Sequence, residues 1–413
     1  MTSAILFCRF ISFFALLGGI FVFLSLALIF LLGIFSGWVC RKIHIPPLLG
    51  MIITGIIMGT SVFNLMDNSI LGISSELRKI ALIIILARAG LSLDINDLKK
   101  VGRPAVLMCF IPVLFEIFGM ILIAPKLLKI TVTEAAIMGA VVGAVSPAVI
   151  VPKMLKLMDE GYGKNNSIPQ LILAGASVDD IFVIVMFTSF LGFEQSGNLP
   201  AFSFIKIPFS IILGILAGVF LGFLLGKLFA RIHIRDTVKI ILMLGFSFLF
   251  VAFEDKFSPA IPFSALIAVM CIGFSVQKAN IQASKRLSLK YSKLWVAAEV
   301  MLFVLVGSAV DVKYVFNAGF SVVLLVFLVL LFRMAGVFIC LIKTKLSIKE
   351  RLFCMIAYIP KATVQAAIGG IPLSLGLSCG NIVLTAAILS ILITAPLGAF
   401  LIDLTYKRLL TKK

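Results

Sequence analysis

The sequence predicts an all-α polytopic membrane protein, and three observations carry that prediction. Of 413 residues, 62% are hydrophobic and only 13% are charged, against about 25% charged in an ordinary soluble domain. The mean hydropathy is +1.21. Apolar runs follow one another along nearly the whole chain, each near the roughly 20 residues that a helix needs to cross a bilayer. A soluble globular protein and a disordered chain are both excluded, and no stretch remains for a soluble catalytic domain.

Taken in order, the runs place helices near 15–39, 44–61, 79–94, 104–128, 132–157, 167–193, 207–230, 236–254, 261–277, 293–312, 315–342, 350–376 and 380–404. That gives about thirteen crossings. Residues 4–39 form one apolar run broken by Arg9; read as two helices, they raise the count to about fourteen. No small-x-small cleavage site follows this run, which argues against a signal peptide.

The formal net charge is +18, from 36 Lys+Arg and 18 Asp+Glu. In a soluble protein this would suggest nucleic acid. In a membrane protein, basic residues collect in cytoplasmic loops and fix topology, so no nucleic-acid partner is expected. With Lys407, Arg408, Lys412 and Lys413 in the cytoplasm, most Lys and Arg fall on that side. The other side holds only Arg78, Lys79, Lys126, Lys129, Lys206, Lys256 and Lys313. The seven Cys are scattered, and His44 and His233 are the only histidines. That leaves no disulfide framework, heme or histidine metal centre, so no cofactor is expected.

Charge within a span is costly and marks a partner or a wet cavity. The predicted spans contain Arg88, Arg333 and Lys361, and the acids Glu116, Asp179, Asp180 and Glu299. A single Lys/Glu pair is explained almost as well by a buried salt bridge as by transport. An adjacent acidic pair is not, because two carboxylates repel more strongly in low dielectric. Asp179 and Asp180 point about 100° apart on a helix, so one can face a cavity while the other faces a protein partner. Such a pair titrates as a coupled unit, and a carboxylate there holds either a proton or a hard cation. Glu299 reads better as a packing acid than as a second proton route.

Proline at mid-span is the next signal. One span contains Gly143-Ala144-Val145-Ser146-Pro147-Ala148-Val149-Ile150-Val151-Pro152. Another contains Tyr358-Ile359-Pro360-Lys361-Ala362-Thr363-Val364-Gln365-Ala366-Ala367, followed by Gly369-Gly370-Ile371-Pro372. A lone proline usually means a kink. Two such segments an odd number of helices apart, each preceded by a helix with a charge (Glu116, Arg333), form the pattern of inverted repeats with crossing broken helices. The unwound backbone is expected to present carbonyls to a cation. Lys361 is expected to neutralise half-helix ends or to pair with an aspartate, and Ser146 and Thr363 to offer hydroxyl oxygens.

These segments resemble the NHA-type branch of the monovalent cation/proton antiporters. GAVSPAVIVPK (143–153), AGASVDDI (174–181) and IPKATVQAAIG (359–369) match its signatures, as do Arg88-Ala89-Gly90-Leu91 and FVLVG at 303–307. The resemblance implies a NapA/NHA-like fold in a homodimer, with no enzymatic activity. It divides the chain into dimerisation helices at 1–100 and 235–313, a core at 101–195 and 314–413, and a linker helix at 196–234. The core would move like an elevator. The resemblance further implies Na+ or Li+ exchange for H+ at Asp179 and Asp180, with Ser146, Pro147, Pro360, Lys361 and Thr363 supporting the site. Glu116 and Arg333 would form a structural ion pair. Arginine hardly deprotonates, so exchange is expected to be electroneutral, in a bacterial cell membrane.

Other readings are a K+/H+ antiporter or a sodium-coupled organic-anion carrier of the same fold, the latter needing a larger cavity lined by uncharged polar groups. An intramembrane aspartyl protease needs two aspartates from separate helices, whereas both acids here lie on one. A channel would be slowed by carboxylates with high proton affinity.

Overall fold

The computed structural model describes residues 22–43, 45–92, 102–196, 202–232, 234–257 and 263–412. Arg9, His44, Lys99, Lys100 and His233 lie outside the described residues, and so does the choice between one helix and two in 4–39. In order the chain forms α1 (Val22–Lys42), α2 (Pro47–Met58), α3 (Asn68–Gly72), α4 (Ser74–Ser92), α5 (Arg103–Met108) and α6 (Ile111–Leu128). Next come α7 (Val132–Val142), α8 (Pro147–Glu160), α9 (Ile168–Ser196), α10 (Phe202–Arg231), α11 (Asp236–Phe257) and α12 (Ala265–Ala279). The chain ends with α13 (Ile281–Ser308), α14 (Val312–Cys340), α15 (Ile348–Ala357), α16 (Thr363–Ile368), α17 (Ile371–Ser374) and α18 (Gly380–Leu409). Among the described residues the only extended pairing is an isolated bridge between Tyr162 and Lys412.

Among the described residues, six segments are long and apolar enough to cross a membrane by themselves: α1, α5 with α6, α11, α18, and most of α10 and of α14. Six falls below the thirteen read from the sequence because several of those spans are short, broken or charged. Large apolar side chains point outward along the long helices: Phe23 is 84% exposed, Leu216 60%, Phe220 73% and Phe320 82%. Water would not tolerate such a surface and lipid does, so the protein is an integral membrane protein.

One boundary differs from the sequence reading. The basic stretch 278–292 was expected to be a loop, yet α13 begins at Ile281. The Asn280 side chain caps it, accepting from the Ala283 N–H at 2.9 Å. Lys, Arg and Leu are good helix formers, so basic charge marks the side of the membrane there without ending the helix.

The packing sorts into two groups. In one, α1 packs on α2, α2 on α13, α13 on α4, and α4 on α12. The long α10 lies along α12 so closely that a Cβ on Gly218 would come within 2.3 Å of the Ala268 carbonyl oxygen. Small residues permit that approach in a membrane, where dispersion and not water expulsion drives helix association. In the other group, α6 packs on α14 and α7, α7 on α9, and α18 on α14 and α15. The interrupted helices α7/α8 and α15/α16 belong to this second group.

Candidate functional site

Both breaks have local causes. Helix α7 opens with a capping box, Thr131 and Glu134, and α15 opens with another, Ser347 and Glu350, each satisfying two orphan backbone donors. Pro147 then starts α8 at its first position, where the missing N–H costs nothing. Pro152 sits inside α8 without ending it, so only one of the two prolines in this segment marks a break. In the second segment the helix stops at Tyr358, and Pro360 precedes the restart of α16 at Thr363. The two breaks touch: the Ser146 N–H donates to the Pro360 carbonyl at 2.8 Å.

At this crossing lies a buried ionic cluster. The Arg333 guanidinium meets Glu116 at 2.7 Å and Asp179 at 2.8 Å. The Lys361 ammonium meets the other oxygen of Glu116 at 2.6 Å. Arg333, Asp179 and Lys361 are fully buried and Glu116 is 1% exposed. The expected Glu116–Arg333 pair is present but is part of a larger chain, because Arg333 also holds Asp179. Lys361 pairs with Glu116 and not with an aspartate. Charges so far from water are tolerated only when paired and hydrogen-bonded.

The backbone carbonyls were expected to face a cation. They face protein donors instead. Lys361 Nζ donates to Val142 O at 2.6 Å, Arg333 Nη1 donates to Gly143 O, and Gln365 Nε2 donates to Ala144 O at 2.7 Å. Arg333 Nε also donates to Tyr358 O at 3.0 Å. One guanidinium therefore caps the C-terminal ends of both half-helices, α7 and α15, where the helix dipole is negative. In a low-dielectric interior an uncapped carbonyl costs free energy, and two cations plus an amide remove that cost.

What remains without a partner is side-chain oxygen. Ser146 Oγ, Asp179 Oδ1, Asp180 Oδ1, Thr363 Oγ1 and Gln365 Oε1 are all buried and have no hydrogen bond. Asp180 forms no ion pair among the described residues and lines a cavity of about 450 Å³ together with Arg88, Pro147, Trp295, Glu299 and Thr363. The two acids thus divide as their 100° separation requires: Asp179 faces Arg333 and Asp180 faces the cavity. Glu299, read as a packing acid, stands on the same cavity wall. An all-oxygen donor set suits a hard monovalent cation, and among the described residues no cluster of His, Cys, Asp or Glu could hold a resident metal ion.

Sequence reasoning missed three participants. Gln365 lies inside a signature segment but carries no charge. Tyr358, whose ring lies 5.5 Å from the Arg333 guanidinium carbon, stands at the head of the second proline segment but carries no charge. Thr394 Oγ1, which accepts the Lys361 N–H at 3.0 Å, lies in a run that has no charge before Asp403. The T-x-x-E and S-x-x-E capping boxes were a readable signal that both broken helices begin alike.

Two interrupted helices meeting at a buried ionic cluster, with one carboxylate open to a cavity, define an ion-transporting membrane protein of the antiporter type. The profile of the family described as sodium/hydrogen exchanger, transmembrane, matches residues 26–406, and the chain belongs to that family. It is 35% identical over 382 residues to sodium/hydrogen exchanger 9B2 of Mus musculus, covering 89% of this chain and 69% of that one. It is 31% identical over 414 residues to sodium/hydrogen exchanger 9B1 of Homo sapiens, covering 94% and 78%. The sodium proton antiporter MjNhaP1 from Methanocaldococcus jannaschii, solved at pH 8, shares the fold: TM-score 0.81 over 93% of this chain and 97% of that one, at 23% identity. The protein is therefore a transporter and not an enzyme, and works on transported ions without a cofactor.

Proposed function

We infer that the protein exchanges Na+ or Li+ for H+ by alternating access, cation and proton competing for Asp180 with Asp179 as its partner. One observation carries this reading. The buried cluster holds three carboxylates, Glu116, Asp179 and Asp180, against two cations, Arg333 and Lys361. It is one positive charge short of neutrality, and the unpaired acid is the one that reaches the cavity. Burial makes that missing charge expensive, so the site takes a single proton or a single monovalent cation. Two cargoes of equal charge sharing one vacancy exchange one for one, without net charge movement.

The family of the relatives supports sodium as the cation. In this reading the charge-rich group of helices, 101–195 with 314–413, is a core sliding like an elevator against 1–100 and 235–313, with 196–234 as linker. Counting each broken helix as one crossing gives about thirteen spans, the lysine-rich C-terminus is cytoplasmic, and the unit is a homodimer in a bacterial cell membrane. A K+/H+ antiporter would share this charge logic. The organic-anion reading is disfavoured, because the cavity carries two acids, Asp180 and Glu299, against one base, Arg88, a balance that does not favour an anionic substrate.

Proteoliposomes loaded with a pH-sensitive dye test the reading. Na+ or Li+ added outside should restore fluorescence, while K+ should be less effective. An imposed membrane potential should leave the initial rate unchanged. Rates that follow the potential would overturn electroneutrality, and the absence of any cation-driven proton movement would overturn the reading as a whole.

A further inference from the structure

Among the polar side chains around the crossing, the neutral amide of Gln365 does more than cap a carbonyl. Gln365 is fully buried in the first turn of α16. Its amide nitrogen donates to Val142 O at 3.2 Å and to Ala144 O at 2.7 Å. The Ala144 carbonyl belongs to the same peptide unit as the Val145 N–H, and that N–H donates to Asp179 Oδ2 at 2.9 Å. A single peptide plane is thus gripped at both ends: Gln365 holds its oxygen and Asp179 accepts its hydrogen. Nothing in the helices fixes this plane, because it lies in the break between α7 and α8.

We propose that Gln365 is a positioning residue for the ion site, acting on Asp179 through the Ala144–Val145 peptide. A donor on the carbonyl fixes the plane and polarises its N–H, and hydrogen bonds in such chains strengthen one another. Lysine or arginine could hold the carbonyl equally well but would fill the cluster's single charge vacancy. A neutral amide holds the peptide and leaves the vacancy for the cargo. Gln365 also ties α16 to the end of α7, so the grip binds one broken helix to the other beside the site. The inference rests on the reading of Asp179 as part of the ion site.

The test uses the full chain in proteoliposomes, with Gln365→Met, Gln365→Asn and Asp179→Asn beside the unaltered protein. Methionine keeps the length and removes the donor; asparagine keeps a donor one methylene short. The Gln365→Met protein should show a KM for Na+ raised about tenfold, the upper end of what one hydrogen bond between neutral groups contributes. Its maximal rate should be nearly retained and its pH profile displaced to the alkaline side. Gln365→Asn should recover part of the affinity, and Na+ should raise the melting temperature of purified Gln365→Met less than that of the parent. An unchanged KM and pH profile, or a fall in maximal rate alone, would overturn the proposal. If Gln365→Met does not insert, Gln365→Asn decides: a raised KM supports the proposal and a parental KM overturns it. Retained exchange in Asp179→Asn would instead remove the functional reading beneath it.

Discussion

Asp179 and Thr394 accept the same hydrogen bond in the two halves of the core. Asp179 takes the N–H of Val145, 34 residues before it, at 2.9 Å. Thr394 takes the N–H of Lys361, 33 residues before it, at 3.0 Å. Each acceptor lies on the long helix that follows a broken one, α9 after α8 and α18 after α17. Glu116 and Arg333, 217 residues apart, stand on the helices that precede the breaks and bind each other. The two halves thus share a backbone plan and differ in chemistry. The first half supplies carboxylates. The second supplies cations and a hydroxyl.

Thr394 is therefore expected to be a stability residue. Thr394→Val leaves the buried Lys361 N–H without an acceptor, at a cost of about 1–3 kcal/mol. Thr394→Ser keeps the oxygen and should cost far less. Melting curves in detergent should place the valine protein several degrees below the parent and the serine protein close to it. Equal melting of the two variants would contradict the role of this bond.

The two aspartates should fail in different ways. Asp180→Asn should abolish exchange with no loss of stability, because Asp180 has no ion-pair partner among the described residues and its removal relieves an uncompensated charge. Asp179→Asn should abolish or severely impair exchange and also destabilise, since Arg333 then loses one of its two anions. Breaking a buried pair from one side costs about 3–5 kcal/mol. Reconstituted exchange and thermal melting, measured on the same preparations, separate the two outcomes. Matching stability losses would argue against the division of labour.

Much of this was legible in the sequence, and the exceptions share a cause. Helical class, both breaks and the buried charges of Glu116, Asp179, Asp180, Arg333 and Lys361 follow from composition and from charge in apolar runs, which are local properties. The wiring among these charges is not local. Arg333 reaches Asp179 across 154 positions, and Lys361 reaches Glu116 across 245. Gln365 and Thr394 escaped notice because neutral polar residues are cheap in a span, so their presence carries little signal. The carbonyls of the first break were read as cation ligands because their donors come from elements more than 180 residues away, as with Arg333 on Gly143.

Removing one partner of the Lys361–Glu116 pair should damage the protein more than removing both. Glu116→Gln strands the Lys361 ammonium without its anion and brings the cluster to neutrality, closing the vacancy, and Lys361→Gln adds a second uncompensated negative charge. Either change should cost about 3–5 kcal/mol and reduce the yield of inserted protein. The double variant keeps the cluster at one positive charge short, so it should recover stability and some exchange. A double-mutant cycle on melting temperature and initial rate measures the coupling. Additive losses would show that the two residues do not act as a pair.

Gly175 offers a sharper test of how the cluster is held. It lies one helical turn before Asp179 on α9, and a Cβ there would come 2.0 Å from the Tyr358 hydroxyl oxygen. That hydroxyl is buried and has no hydrogen-bond partner, while the ring beneath it carries the Arg333 guanidinium. Gly175→Ala must displace either α9 or Tyr358, and each movement separates Asp179 from Arg333. Overpacking of this kind costs about 1–3 kcal/mol, and the altered geometry should slow exchange as well. Tyr358→Phe removes only an unpaired oxygen, so it should leave stability near that of the parent. The double variant Gly175→Ala with Tyr358→Phe should regain part of the lost exchange. Recovery should be incomplete, because the new methyl group would still lie 3.1 Å from Met108 Cβ and 3.3 Å from Tyr358 Cζ. Initial rates of the three variants, scaled to inserted protein, decide the matter. A double variant no better than Gly175→Ala would show that the hydroxyl is not what reserves this position for glycine.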